Sequence, residues 1–121
     1  MKIYISHSRK FDYKKEIYAV LRNSSLNKEH EIVFPHETSE EPFDSKEFLK
    51  KCDLVIAEVS YPSVGVAIEL GWANAFNVAV ICIYKKGSKI SDSLRLITDK
   101  FIEYRTGEEL ISKIKEAIVD Y

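Results

Sequence analysis

The stretch from Asp53 to Tyr84 constrains the fold more than any other part of the chain. Asp53 opens an almost uninterrupted apolar run, Leu54-Val55-Ile56-Ala57, which is the pattern of a strand covered on both faces in a parallel sheet, and Glu58 marks its end. A loop follows. It is punctuated by Ser60, Pro62, Ser63 and Gly65, after which helical character resumes from Val66 to Phe76 with apolar residues at Val66, Leu70, Ala73 and Ala75 to Phe76. Val78 to Tyr84 is again continuously apolar. Strand, Gly-containing turn, helix and strand make a βαβ crossover, and ligands of open parallel sheets sit outside the carboxyl ends of the strands. The site is therefore expected at Ser60 to Glu69.

The remaining segments extend this unit. Lys2 to Ser6 reads as a first strand and Asp12 to Leu21 as a first helix, with Ile17, Val20 and Leu21 making its apolar stripe. Asn23 to His30 is turn-rich, Glu31 to Phe34 is a second strand stopped by Pro35, and His36 to Phe43 is a polar segment, either a mobile lid or disordered. Asp44 or Ser45 caps a short helix running to Lys51, Ser91 to Ile97 is a short helix or turn, and Phe101 to Tyr104 is a fifth strand. Thr106 to Val119 forms a terminal amphipathic helix, with a capping box between Thr106 and Glu109. Five short strands alternating with helices predict a single α/β domain over residues 1–121: a three-layer sandwich around a five-stranded parallel sheet in the flavodoxin-like (Rossmann-like) order 2-1-3-4-5. That order has a functional consequence. The switch point falls between strands one and three, so the Ser6 to Lys10 loop and the Ser60 to Gly65 loop lie side by side.

Composition narrows the partners. The 121 residues are 45% hydrophobic and 31% charged, and 18 basic and 19 acidic side chains are interspersed to a net charge of −1, so neither nucleic acid nor an anionic membrane surface is an expected partner. No apolar run is long enough to span a bilayer, which predicts a soluble, cytoplasmic protein. Cys52 and Cys82 lack CxxC spacing and read as buried free thiols, and His7, His30 and His36 have no metal-ligand spacing. No cofactor is implied: there is no GxGxxG after the first strand, no P-loop and no GxSxG elbow.

Within the expected site, Glu69 is a carboxylate in an otherwise apolar run, Val66-Ala67-Ile68 before it and Leu70 after. It either complements the positive end of the helix dipole or is the reactive group. A hydroxyl at Ser63 and open N–H groups near Gly65 would cradle an anion beside it, which suits a phosphorylated substrate with a neighbouring electrophilic carbon. The Ser6-His7-Ser8-Arg9-Lys10 loop is either a solvated turn, with Ser8 or Asp12 capping the next helix, or a second wall of that cradle. Gly71 in the helix predicts close packing against the sheet or another subunit, and Trp72 a core or interface role.

Four segments carry a family resemblance: Ile3 to Ser8, Asp53 to Val59, Pro62 to Gly71 with its P-S-x-G-x-x-x-E-L-G pattern, and Ser91 to Arg95. Together they resemble the nucleoside 2-deoxyribosyltransferase superfamily, and within it the 2'-deoxynucleoside 5'-phosphate N-hydrolases. The resemblance implies cleavage of an N-glycosidic bond through a glutamate nucleophile at Glu69, with Tyr4 near the sugar and the nucleophile. It implies 5'-phosphate contacts at Ser8, Ser63 and Gly65, and a further one at Ser91 supplied by the neighbouring subunit of a homodimer. Free-nucleoside transferases of this superfamily place an aspartate where Ser63 stands; a serine can donate to phosphate, so the expected substrate is a nucleoside monophosphate. Ser6, Arg9 and Lys10 fit the same anion, with Lys10 in the place of the hydrolases' arginine. The family's leaving-group aspartate, eight residues before Asp53, is Ser45 here, and neighbouring Asp44 is expected to serve, with Glu47 or a lid carboxylate as alternatives. Base exchange between nucleosides, and nucleotide binding without turnover, are the competing readings.

Overall fold

In the computed structural model, which describes residues 1–121, five parallel strands form one sheet in the order β2-β1-β3-β4-β5. The strands are β1 (Lys2–His7), β2 (Glu31–Val33), β3 (Leu54–Glu58), β4 (Ala79–Lys85) and β5 (Phe101–Tyr104). This is the expected topology. β3 is buried along its whole length, as its unbroken apolar run requires. Ile3 and Ile5 of β1 lie in a core that also holds Ile17, Leu21, Leu110 and Ile114, contributed by a π-helical turn (Lys14–Tyr18), α1 (Ala19–Arg22) and α5 (Gly107–Ile118). Tyr4 faces the opposite core, with Leu49 of α3 (Lys46–Leu49) and Val66, Leu70 and Ala73 of α4 (Val64–Ala75). The alternation of side chains along β1 thus divides one strand between two cores, and the result is three layers.

Several local features differ from the expected ones. The first helix begins as a π turn, and a short α2 (Leu26–Glu29) lies within the Asn23 to His30 segment. Glu109 returns its carboxylate to the Arg105 N–H rather than to the Thr106 N–H, although Thr106 Oγ1 does accept the Glu109 N–H at 3.1 Å. Gly71 does not pack against the sheet. It faces solvent, and a Cβ there would meet no atom within 4 Å, because the buried stripe of α4 runs through Val66, Leu70 and Ala73 on the other side. α4 ends where Asn77 adopts φ 59°, letting the Val78 N–H reach back to the Ala73 carbonyl at 2.9 Å and the Asn77 N–H to Asn74 at 3.2 Å. No helix is long and apolar enough to cross a membrane.

Candidate active site

The pairing of β1 with β3 ends at His7 opposite Glu58, and the two chains diverge there into the Ser8 to Lys10 loop and the Ser60 to Ser63 loop. A cleft of about 720 Å³ opens between them, lined by Tyr4 and Glu69 at its base, Ser8, Arg9 and Lys10 on one wall and Ser63, Val64 and Gly65 on the other. Pro35, His36, Pro42 and Phe43 close a third side.

Glu69 is held by three hydroxyls. Tyr4 Oη donates to Oε2 at 2.5 Å, Ser45 Oγ donates to the same oxygen at 2.6 Å, and Ser6 Oγ donates to Oε1 at 2.7 Å. Tyr4 and Ser6 are two residues apart on one strand, so both point to the α4 face. Burial, reinforced by the adjacent Glu69 charge, raises the Tyr4 phenol far above its ordinary pKa and keeps it a donor. With two donors on Oε2 and one on Oε1, the second oxygen keeps the freer lone pair. The three donors orient a carboxylate that lines the cleft, with Oε1 the less encumbered oxygen, an arrangement suited to nucleophilic attack.

Asp44 does not join this group. It is exposed, and the neighbouring Ser45, 2% exposed at the entrance to α3, is the residue that turns inward to Glu69. Glu47 pairs with Lys50 on the surface, and the lid carboxylates face outward: Glu37 to Arg22, Glu40 to Lys14 and Tyr13. The lid is thereby strapped to the first helix, and the Arg9 guanidinium also donates to the Glu40 carbonyl.

Ser63 occupies the N-cap of α4, its Oγ accepting the Val66 N–H at 3.2 Å. Its own hydroxyl proton is left to donate into the cleft. A side chain at Gly65 would meet only Ser63 Oγ, at 3.8 Å, so glycine here leaves room for a ligand. Ser8 Oγ accepts the Lys10 N–H at 3.0 Å, which curls the basic loop and turns its end toward the same space. Ser91 caps a 3-10 turn (Asp92–Leu96) through a 3.2 Å bond from the Ser93 N–H; it does not line its own chain's cleft but an adjoining pocket, with Pro62 and Ser63.

Two histidines in the segments expected to flank the site have positions that their sequence context did not single out. His36 lines the cleft immediately beyond β2, and its place after the carboxyl end of a strand was the available signal. His7 is buried, with Nδ1 at 2.8 Å from the Ser8 carbonyl and Nε2 at 2.6 Å from Tyr18 Oη, which in turn accepts the His36 N–H at 3.0 Å. A neutral ring donating from Nδ1 and accepting at Nε2 satisfies every bond. Burial lowers its pKa from 6.5 to about 4. The unfolded chain therefore takes up a proton near pH 6.5 that the folded chain refuses until about pH 4, so stability is complete above that window and falls through it. Urea unfolding is expected to show a loss of about 1.6 kcal/mol between pH 6.5 and pH 5, flattened in His7→Gln. An equal slope in both proteins would rule out His7 as its source.

The fold and site define a class: a flavodoxin-like sheet with a hydroxyl-bound carboxylate lining a cleft at the switch point. Comparisons with known proteins find nucleotide N-hydrolases by sequence, and an N-glycosidase and a deoxyribosyltransferase by structure. The chain is 38% identical over 68 residues to 5-hydroxymethyl-dUMP N-hydrolase of Homo sapiens, covering 51% of this chain and 39% of that protein. It is 29% identical over 76 residues to a putative 2'-deoxynucleoside 5'-phosphate N-hydrolase 1 of Syntrophotalea carbinolica, covering 60% of this chain and 54% of the relative. The matches thus span about half the length of these relatives or less. Among solved structures, the CMP N-glycosidase BcmB of Clostridium botulinum superposes with a TM-score of 0.73 over 97% of this chain and 99% of its own, at 22% identity. A 2-deoxyribosyltransferase of Bacillus psychrosaccharolyticus superposes with a TM-score of 0.58 over 91% and 90%, at 19% identity. These likenesses establish the fold. No family model matches the chain.

Proposed function

We propose that the protein hydrolyses the N-glycosidic bond of 2'-deoxynucleoside 5'-monophosphates through a covalent ester on Glu69. Glu69 Oε1 attacks C1', the electrons of the C1'–N bond leave with the base, and water then cleaves the ester to give deoxyribose 5-phosphate. The carrying observation is the Glu69 carboxylate, held by the hydroxyls of Tyr4, Ser45 and Ser6 on the lining of the cleft that Ser63 and Gly65 also line. The names of the sequence relatives, both N-hydrolases of deoxynucleotides, support the same reaction.

The preference for a deoxy sugar rests on the sequence relatives, whose names are those of deoxynucleotide N-hydrolases. Ser8, Lys10, Ser63 and Gly65 take the 5'-phosphate in this reading, with Arg9 released from Glu40 on binding. Ser91 serves the neighbouring site of a homodimer; the exposed Val64 and Ile68 on α4, with Gly71 on the same face and Leu96 beside the Ser91 turn, fit a covered surface. Two free thiols fit a cytoplasmic setting.

Chromatography of base release from a panel of deoxy- and ribonucleoside monophosphates and free nucleosides, with and without a second base, tests the reading. Release from deoxynucleoside monophosphates, at least tenfold faster than from their ribo and unphosphorylated counterparts, is the expected result. Incorporation of the second base would instead make the protein a transferase, and binding without release would make it a nucleotide-binding module. Sedimentation of the same sample as a monomer would remove the shared site.

A further inference from the structure

Beyond His7 and Glu58, where the ladder between β1 and β3 stops, no hydrogen bond joins residues 8–11 to residues 59–63. These are the segments that lead into the two walls of the cleft. What bridges them is a pair of aromatic rings: Phe11, which follows Lys10, and Tyr61, two residues before Ser63, stack with centroids 4.9 Å apart and planes inclined by 20°. Neither ring lines the cleft.

The pair rests on Lys85 at the end of β4. Lys85 Nζ lies 4.9 Å from the Phe11 centroid and 5.2 Å from that of Tyr61, within reach of both ring faces, and it donates to Tyr61 Oη at 2.9 Å. Glu16 fixes the ammonium from the far side at 2.5 Å. The backbone of the same residue fixes the other loop, since the Lys85 N–H donates to Ser60 Oγ at 2.8 Å. Ser60 is in turn tied to the buried Glu58, which accepts the Ser60 N–H at 2.5 Å and Oγ at 3.0 Å and also accepts Tyr104 Oη. One wall of the cleft is thus anchored in the sheet through Lys85, and the other wall is attached to it through Phe11.

We propose that Phe11, Tyr61 and Lys85 form a clamp that sets the spacing of the phosphate cradle, making Phe11 and Tyr61 positioning residues for 5'-phosphate recognition. This rests on the reading of the cleft as a monophosphate site. Preorganisation of this kind lowers the cost of closing two loops around an anion, so its loss weakens phosphate binding and leaves the geometry around Glu69 unchanged.

The test measures the affinity of inorganic phosphate by calorimetry, alongside KM and kcat for a deoxynucleoside monophosphate, in Phe11→Leu, Tyr61→Leu, the double variant and Tyr61→Phe. Each leucine variant is expected to bind phosphate about tenfold more weakly and to raise KM by the same factor with kcat within about twofold. The double variant should be no worse than either single one, because the first substitution already opens the clamp. Tyr61→Phe keeps the stack and should stay within about twofold of wild type. Wild-type phosphate affinity in the leucine variants, full additivity in the double variant, or a fall in kcat rather than a rise in KM would overturn the proposal, as would a wild-type protein that binds no phosphate. If Tyr61→Leu does not fold, Phe11→Leu decides the same question from the other wall. Absence of base release by the wild type defeats the hydrolase reading alone, since phosphate affinity still judges the clamp.

Discussion

Glu69→Gln is expected to lower base release by about four orders of magnitude or more, equivalent to about 5 kcal/mol of barrier, while the protein keeps its fold. The amide has nearly the shape of the carboxylate but no nucleophilic oxygen, and it presents a donor to hydroxyls that now act as donors themselves: Tyr4, Ser6 and Ser45. Glu69 is half-buried and lines the cleft, so the substitution disturbs little of the core behind Leu70. The same experiment has a second arm in the wild type. Acid quenching during turnover should trap protein heavier by one deoxyribosyl phosphate group, with the added mass on the peptide containing Glu69. Retained hydrolysis in Glu69→Gln would show that water is activated without a covalent step, and the proposed mechanism would fall.

Ser63→Asp should have the next largest effect, a loss of about a hundredfold or more in kcat/KM for monophosphates. Aspartate caps α4 as well as serine does, through the same bond from the Val66 N–H, so folding stability should change little. The difference lies in the cleft. Serine has a proton to give once its oxygen has accepted from Val66, whereas the aspartate offers only acceptors and a negative charge to an approaching phosphate. Free deoxynucleosides, whose 5'-hydroxyl can donate, should lose far less, and the ratio of the two substrates measures the inversion. An unchanged ratio would mean that phosphate does not sit at the α4 N-terminus.

The strand order was legible because β3 and β4 are almost continuous apolar runs, and short strands separated by helical periods leave few other arrangements. Glu69 stood out for the complementary reason, as a charge inside such a run. The inward residue of the 44–45 pair was harder to read. One residue rotates a helical side chain by roughly 100°, and where α3 begins depends on how the lid enters it, which no local pattern records. Of the two expectations for Gly71, packing against the sheet is excluded because α4 turns that side to solvent, and no local pattern separates it from packing against another subunit. The Phe11 and Tyr61 stack joins residues fifty positions apart whose local roles are both ordinary loop, so it emerges only when the sheet brings the ends of β1 and β3 together.

β1 has a further implication for how this protein tolerates change. Tyr4 and Ser6 hold Glu69, while Ile3 and Ile5, interleaved with them, fill the core on the other face. Deleting or inserting a single residue in Lys2–His7 would swap these two sets, sending isoleucines to the carboxylate and polar groups into the apolar layer. Point substitutions can adjust the site one side chain at a time, but a frame change within this strand would remove activity and stability together. Insertions and deletions are therefore expected to be tolerated in loops and not within this strand.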